Sequence, residues 1–263
     1  MSGPVSAHYA NLLARHYSWM FGLSFEEKVT EQRTILEPLL KDSPRGFAVD
    51  LGSGPGFQTM ALSELGYRII HAFDTSDELL GELVPHIGRL PIELHGDLFT
   101  LSEIVPSEMA NVIVCMGDTL THLPTLQAVR QLFRAARSVL APGGLFILTW
   151  RDLTHELTGA DRFIPVRATD EKIMTCFLEY VSPTTVLVHD LVYTRNPTRN
   201  PTRNPEPGAP NTPPAWSLEK SSYPKLRLSP SQVAAELTAA NLEPAPPSTA
   251  GRLSLLVARR AQS

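Results

Sequence analysis

The sequence predicts an α/β protein with a mostly parallel β-sheet and helices on both of its faces. Two observations lead to this prediction. From Gly46 onward, short apolar runs alternate with amphipathic segments, which is the pattern of strands connected by helices. In addition, the first apolar run ends in a cluster of glycines, and acidic residues follow the next runs. The predicted strands are Phe47–Leu51, Arg68–Phe73, Ile92–His95, Val112–Met116 and Leu145–Trp150.

Helices are predicted in the segments that connect these strands. They cover about residues 58–65, 76–87, 100–105 and 124–139, and the last one ends before Ala141-Pro142-Gly143-Gly144, a helix-stop sequence. Residues from about 7 to 41 also carry apolar stripes at helical spacing. We therefore expect an N-terminal helical cap over residues 1–45, followed by the main domain over residues 46–263.

The pattern changes after Trp150. Residues 173–181 and 185–194 are strand-like and are joined by Ser182-Pro183-Thr184, which predicts an antiparallel hairpin within an insertion at about 170–228. An Asn-Pro-Thr-Arg repeat and a proline-rich stretch at about 195–214 predict an extended loop. Further along, we predict a strand at Trp216–Leu228, a helix at Pro230–Ala240 and a last strand at Arg252–Ala258.

Composition limits the partners and the compartment. The chain has 23 basic and 27 acidic residues and a formal net charge of -4, which disfavours a nucleic-acid partner. Its two cysteines, Cys115 and Cys176, lie in apolar runs, so we expect buried thiols, no disulfide and no metal site. No segment has the pattern of a signal peptide or a membrane span. We expect a cytoplasmic protein without a membrane partner, and the oligomeric state is not predicted.

The glycine cluster is the first sign of a cofactor site. Asp50-Leu51-Gly52-Ser53-Gly54-Pro55-Gly56 ends the first strand, and a helix follows at once. Close-packed glycines at such a turn allow a ligand to approach the backbone. A nicotinamide dinucleotide site would need Gly-x-Gly-x-x-Gly, but the third glycine here comes one residue early and Phe57 occupies the expected position.

Acidic residues recur at the ends of the next strands. Asp74, Asp97 and Asp118 follow strands two, three and four. In an open parallel sheet, ligands bind outside the carboxyl ends of the strands, so one site at that edge would account for all of them. Each acid alone also fits a turn or a helix cap.

This combination resembles motif I and the later motifs of the class I, Rossmann-like S-adenosylmethionine-dependent methyltransferases, in their small-molecule branch. The resemblance covers about residues 46–150. It implies a seven-stranded sheet in which the last strand lies antiparallel beside strand five. It also implies S-adenosylmethionine as the cofactor, with contacts from Asp50, Gly52, Gly54, Gly56, Asp74, Thr75, Asp97, Leu98, Met116 and Asp118.

Residues for the acceptor side follow from the same resemblance. His122 follows strand four, where related small-molecule N-methyltransferases have a polar residue and a histidine, and Tyr17 lies in an aromatic segment that covers the cofactor in such enzymes. We predict catalytic roles for these two. The predicted substrate contacts are Trp19, Trp150, Arg151, Tyr223 and Arg227. Two alternatives stay open. His122 could instead form its hydrogen bonds with the backbone at a helix start, and Arg227 could be a solvated charge on a strand.

The predicted function is transfer of a methyl group to a nitrogen or oxygen of a small molecule. A sulfonium is already activated for displacement, so the protein mainly aligns the nucleophile and excludes water. This agrees with a sequence that has no Gly-x-Ser-x-Gly elbow and no His-Glu-x-x-His helix. Two alternatives remain, a scaffold that binds S-adenosylmethionine without catalysis and, with less support, a nicotinamide-dependent oxidoreductase.

Overall fold

The computed structural model describes residues 3–196 and 215–262, and these residues form two β-sheets with helices around them. The strands in chain order are β1 (Phe47–Leu51), β2 (Ile69–Phe73), β3 (Ile92–His95), β4 (Ala110–Cys115), β5 (Leu140–Trp150), β6 (Phe163–Ala168), β7 (Lys172–Ser182), β8 (Thr185–Arg195), β9 (Trp216–Leu226), β10 (Glu243–Pro244), β11 (Ser248–Ala250) and β12 (Leu253–Arg259).

The main sheet has the predicted parallel arrangement. Its strand order is β10-β12-β5-β4-β1-β2-β3, with the short β11 paired to β12 at one side. Strands β1 to β5 pair in parallel, whereas β12 runs antiparallel to β5. The predicted seven-stranded, mostly parallel sheet is confirmed, including the position of the last strand.

Helices cover both faces of this sheet, as predicted. They are α1 (Pro4–His8), α2 (Ala14–Phe21), α3 (Phe25–Leu39), α4 (Phe57–Glu64), α5 (Asp77–Ile87), α6 (Leu101–Ile104), α7 (Leu126–Val139) and α8 (Pro230–Ala239). Side chains alternate across a strand, so β1 directs Val49 toward the apolar core beneath α7 and α8 and Ala48 toward the core beneath α3 and α4. The sheet is thereby buried on both sides.

The N-terminal helices agree with the predicted helical segment. One π-helical turn, Tyr9–Leu13, connects α1 to α2, and Gly22 ends α2 in a left-handed conformation with a φ of 71°. Helix α3 begins at a capping box in which Ser24 and Glu27 bond each other's backbone N–H groups. None of the described helices is long and apolar enough to span a bilayer.

The second sheet is larger than the predicted hairpin. Strands β7 and β8 do form that hairpin, but β6 and β9 extend it to an antiparallel sheet in the order β6-β7-β8-β9. Strand β6 was not predicted, because its side chains are mostly exposed or half-buried and it lacks a clear apolar alternation. The repeat and the proline-rich loop, predicted for about 195–214, fall largely on residues 197–214, outside the described residues.

Two predicted elements of the main domain differ from the structure by more than two residues or in helix type. Strand β5 begins at Leu140 rather than Leu145, because the chain leaves α7 directly into a pairing with Ala110 that is interrupted by a register shift. The predicted helix at 100–105 is a 3₁₀ turn, Leu98–Thr100, followed by the single turn of α6. The carboxyl ends of the strands, where the site was predicted, keep their expected positions.

Candidate active site

A cavity of about 810 Å³ lies at the carboxyl ends of β1, β2 and β4. Side chains from the N-terminal helices and from β7, β8 and β9 also line it, so it extends from the main sheet to the antiparallel sheet. Its volume is within the range of roughly 300–1,000 Å³ that ligand cavities usually have. Seven of the predicted cofactor residues line it, namely Gly52, Gly54, Asp74, Thr75, Asp97, Leu98 and Asp118.

The glycine loop forms the floor at one end of this cavity. The N–H groups of Gly52 and Ser53 both donate to the Phe73 carbonyl, at 2.8 and 2.9 Å, which fixes the turn against β2. Gly52 has a φ of 74°, and a Cβ there would lie 2.2 Å from Oγ1 of Thr119. Gly54 has a φ of 53° and faces the Tyr17 ring. Only glycine allows this backbone and leaves the floor open.

Asp74 connects this loop to the end of β2. Its Oδ2 accepts from the N–H of Gly54 and its Oδ1 from the N–H of Ser76, both at 2.8 Å. Burial raises the pKa of this carboxyl, and the backbone donors oppose that shift. Asp97 occupies the equivalent place after β3, where its Oδ1 accepts from the N–H of Phe99 at 3.0 Å. Both carboxylates lie at the rim of one cavity.

Three other predicted cofactor residues do not line the cavity. Asp50 points toward α4 and accepts from the Thr59 hydroxyl at 2.7 Å. Burial raises its pKa to about 7. Gly56 begins α4 with a φ of 90°, and a Cβ there would meet Leu83 at 2.3 Å, so it serves helix packing. Met116 is buried in the core beneath α3 and α4. The direct contacts predicted for these residues are not supported.

Asp118 joins three strands at the middle of the cavity. Its Oδ1 accepts from the backbone N–H of Arg151 at 2.8 Å, and its Oδ2 accepts from Nζ of Lys225 at 2.7 Å. Burial alone would raise the pKa of this carboxyl, but the nearby Lys225 and Arg151 charges hold it well below its usual value. Asp118 is therefore an ionised anchor between the two sheets.

Four aromatic side chains form a wall over the cavity, and we call Tyr9, Tyr17, His122 and Tyr223 the aromatic wall. The ring of Tyr9 lies 6.0 Å from that of Tyr17 and 5.8 Å from that of His122, and His122 lies 5.5 Å from Tyr223. Both predicted catalytic residues thus belong to one continuous wall. The N-terminal helical segment supplies Tyr9 and Tyr17, the turn after β4 supplies His122, and β9 supplies Tyr223.

His122 is the polar group within this wall. Its Nε2 atom is buried and has no hydrogen-bond partner among the described residues. Burial, together with the positive charge of Lys225, lowers the pKa of the imidazole to about 3. The ring is neutral near pH 7 and belongs to the cavity lining.

The predicted substrate residues divide into two groups. Arg151 and Tyr223 line the cavity, whereas Trp19, Trp150 and Arg227 do not. The fully buried Trp150 donates from its indole N–H to the Leu228 carbonyl at 2.9 Å. Trp19 lies outside the cavity, where its ring contacts charged side chains of the antiparallel sheet, Arg167 and Lys172.

Arg227 is a structural residue at the junction between β9 and the segment after β5. Its guanidinium donates to the carbonyls of Leu153, Thr154 and Ser182 and to the Glu156 carboxylate, over 2.6–3.0 Å. These bonds use its donors within the protein. Arg227 does not line the cavity, so the geometry gives no support to its predicted substrate contact, and the alternative of a solvated charge is wrong.

A comparison with protein families supports the predicted identity. Residues 48–144, which carry the glycine loop, Asp74, Asp97 and Asp118, match the family model described as a methyltransferase domain. The chain contains a methyltransferase domain. The predicted family is confirmed for this part of the chain, and with it the predicted methyl donor, S-adenosylmethionine. A comparison with curated proteins finds no match.

The similarity to solved structures extends beyond residues 48–144 and covers nearly the whole chain. The CcbJ methyltransferase from Streptomyces caelestis superposes with a TM-score of 0.71 at 18% identity, over 96% of this chain and 98% of that one. CalS10, an amino pentose methyltransferase from Micromonospora echinaspora, gives 0.67 at 16% identity, over 99% and 98%. The sugar N-methyltransferase KedS8 from Streptoalloteichus gives 0.65 at 14%, over 96% and 92%. The antiparallel sheet therefore belongs to the shared fold.

The cavity of the methyltransferase domain fits its cofactor. The Gly54 floor lies open, since the nearest atom to a Cβ built there is 3.8 Å away, on the Tyr17 ring. Carboxylates at the ends of β2 and β3 offer acceptors for hydroxyl and amino groups. Aromatic faces are favourable neighbours for a sulfonium. The residues present thus match a ligand with hydroxyls, an amino-bearing ring and a positive charge.

Sequence reasoning missed the polar residues of the antiparallel sheet. Asp190 is buried in β8 and lines the cavity, where His8 bonds its Oδ2 at 2.9 Å and the Cys176 thiol donates to its Oδ1 at 3.0 Å. A lone carboxylate at an inward position of an otherwise apolar strand was the available signal. Lys225 was not among the predicted site residues, but it is buried and paired with Asp118. Cys176 is half-buried in the cavity wall rather than in the core.

Proposed function

We propose that this protein methylates a nitrogen atom of a small-molecule acceptor, using S-adenosylmethionine. When bound, the cofactor would supply a methyl group that passes in line from its sulfonium sulfur to the acceptor nitrogen, leaving S-adenosylhomocysteine. The observation that carries the proposal is a single cavity with the glycine loop and Asp74 at one end and His122, Tyr223 and Asp190 at the other. Such a cavity aligns two ligands and excludes water, which is most of what this reaction requires.

The cofactor end follows the arrangement implied by the resemblance. We assign Asp74 to the ribose hydroxyls and Asp97 with Leu98 to the adenine. Gly52 and Gly54 leave room beneath the methionine portion, and Thr75 lies beside Asp74 at the rim. Tyr17 faces Gly54 and covers this end from above. Asp50, Gly56 and Met116 support the loop from behind.

The acceptor end supports nitrogen rather than oxygen as the nucleophile. A hydroxyl acceptor needs a base for its proton, and an effective base has a pKa near the working pH. The imidazole of His122 has a pKa of about 3, so it is poorly matched to that task. It is suited to accept a hydrogen bond from a neutral amine, which needs only to arrive unprotonated.

The character of the cavity supports a small acceptor. Tyr223, Arg151 and Asp190 add polar groups to the cavity between the two sheets. Among proteins of the same fold, CalS10 acts on an amino pentose and KedS8 on a sugar nitrogen. We propose an acceptor of that size with an amino group, and we disfavour nucleic acid.

We also propose a cytoplasmic location and the division of the chain into an N-terminal cap over residues 1–45 and a methyltransferase domain over 46–263. Two unpaired thiols, Cys115 and Cys176, are typical of a reducing compartment. The insertion at about 170–228 contributes much of the second sheet, which carries part of the acceptor end.

The acceptor assignment is tested by transfer of a labelled methyl group. Amino sugars, each paired with the sugar that has a hydroxyl at the same carbon, are incubated with the protein and methyl-tritiated S-adenosylmethionine. We expect label on amine members only, and much less label with an Asp74→Ala chain at the same low cofactor concentration. Equal or faster labelling of the hydroxyl members would contradict the nitrogen assignment. Binding of the cofactor without transfer to any acceptor offered would favour the scaffold alternative.

A further inference from the structure

A cluster of possible metal ligands lies on β2 and β3, away from the cavity lining. In residues 3–196 and 215–262, one set of at least three such side chains brings its ligand atoms within 4.8 Å of one another, namely His71, Glu93 and His95. His71 and Glu93 face each other in the register of β2 and β3, and His95 follows two residues later on the same face. Sequence spacing did not indicate this set, because its members come from two strands.

The distances within the cluster suit a divalent metal. Nε2 of His95 lies 3.0 Å from Nδ1 of His71 and 3.9 Å from Oε2 of Glu93, and one ligand atom from each of the three side chains lies within 4.8 Å of the other two. Ligand atoms of a tetrahedral zinc ion, with bonds of about 2.0–2.1 Å, lie about 3.3 Å apart. The imidazoles are already near that separation, and the remaining movement falls to Glu93, whose side chain is 66% exposed.

Burial and packing favour the same conclusion. The side chains of His71 and His95 are 9% and 16% exposed, while Glu93 opens the cluster to solvent. Neighbouring rings of Phe47 and Phe73 restrict both histidines. The ligands are therefore held close together before any ion binds.

We propose that His71, His95 and Glu93 bind a zinc ion, with water as the fourth ligand. Two histidines and one carboxylate are a common zinc donor set. The ion links β3, a four-residue strand at the edge of the main sheet, to β2. It also lies next to the cofactor end, because the His95 carbonyl accepts from the N–H of Asp74 at 3.0 Å. The site lies outside the lining of the methyl-transfer cavity.

Thermal denaturation of the metal-free protein with added ZnCl₂ tests the proposal. A ligand at one hundred times its Kd raises the melting temperature of a protein of this size by about 5–10 °C. We expect such a shift for the wild type, its loss in His95→Ala, and at least tenfold weaker zinc binding in Glu93→Gln. Because Glu93 is exposed, that second variant separates loss of a ligand from a failure to fold.

A matched control is available on the antiparallel sheet. Nε2 of His189 lies 2.8 Å from Oε2 of Glu179 in a similar cross-strand pair, and no third ligand accompanies it in the described set. His189→Ala must keep the full zinc shift. Cobalt(II) added to the wild type should also give the visible absorption of a tetrahedral complex, which a purely structural histidine pair would not. An equal zinc shift in His95→Ala, or no shift and no cobalt spectrum in the wild type, would overturn the proposal.

Discussion

At the scale of single residues, Asp74 holds the cofactor end together. Its carboxylate accepts two backbone N–H groups and lines the cavity. Asp74→Ala removes a charged hydrogen-bond acceptor, each such bond contributing about 1.5–3 kcal/mol, so we expect roughly 10- to 100-fold weaker binding of S-adenosylhomocysteine. Calorimetric titration measures this. Asp77→Ala removes an exposed carboxylate three residues away and should bind normally. Unchanged affinity in Asp74→Ala would exclude Asp74 from the site.

Asp50 makes stability depend on pH. Its folded-state pKa of about 7 is above the ordinary value of 3.8, so the folded protein binds more protons than the unfolded chain between those values. The resulting stability is present below pH 4 and is lost as the pH rises toward 7. Asp50→Asn should remove this dependence. Between pH 5 and 7 its free energy of unfolding should exceed that of the wild type by about 2–3 kcal/mol. Urea denaturation of both proteins at several pH values measures these free energies. The same pH dependence in the variant and the wild type would refute the prediction.

Residues at strand ends were predictable in position but not in direction. Asp74 and Asp97 follow their strands, where any side chain reaches the edge. Asp50 lies within β1, where side chains alternate between faces, and its register turns it toward Thr59 on α4. Trp150 ends β5 at the correct edge, but it turns into the core. The sequence indicates which edge a residue reaches, and packing decides which face it joins.

At the scale of elements, Arg227 attaches β9 to the segment after β5. Arg227→Lys keeps the charge but loses the planar set of donors, leaving buried carbonyl groups without partners. We expect a loss of about 2–5 kcal/mol in the free energy of unfolding, with S-adenosylhomocysteine affinity unchanged within threefold. Arg195→Lys, at an exposed end of the same sheet, is the control. A fully stable Arg227→Lys protein that loses methyl transfer would instead support the substrate contact.

The elements of the main sheet were predictable because strands and helices alternate with clear apolar periods. The elements of the antiparallel sheet were only partly predictable. Strands β7 and β8 have apolar alternation and a turn between them, whereas β6 is half-exposed and contains Pro165 at a register shift. Pairing between distant strands, such as β8 with β9, depends on contacts that no local pattern encodes.

At the scale of the whole molecule, both sheets and the N-terminal helices contribute to the cavity. The main sheet supplies the cofactor end, while the N-terminal helices and the antiparallel sheet supply most of the aromatic wall and Asp190. The Lys225–Asp118 pair joins the two sheets at the centre. The cofactor end could be predicted from motifs close together in sequence. The acceptor end could be predicted only for His122 and Tyr223, because Tyr9 and Asp190 join them only in three dimensions.

Calorimetric titration of the wild-type protein with S-adenosylhomocysteine, and separately with NAD, tests the central claim most directly. Both compounds carry an adenosine, but the early third glycine and the acidic strand ends favour the one without a pyrophosphate. We predict micromolar binding of S-adenosylhomocysteine and no measurable binding of NAD. Micromolar binding of NAD with none of S-adenosylhomocysteine would contradict the account.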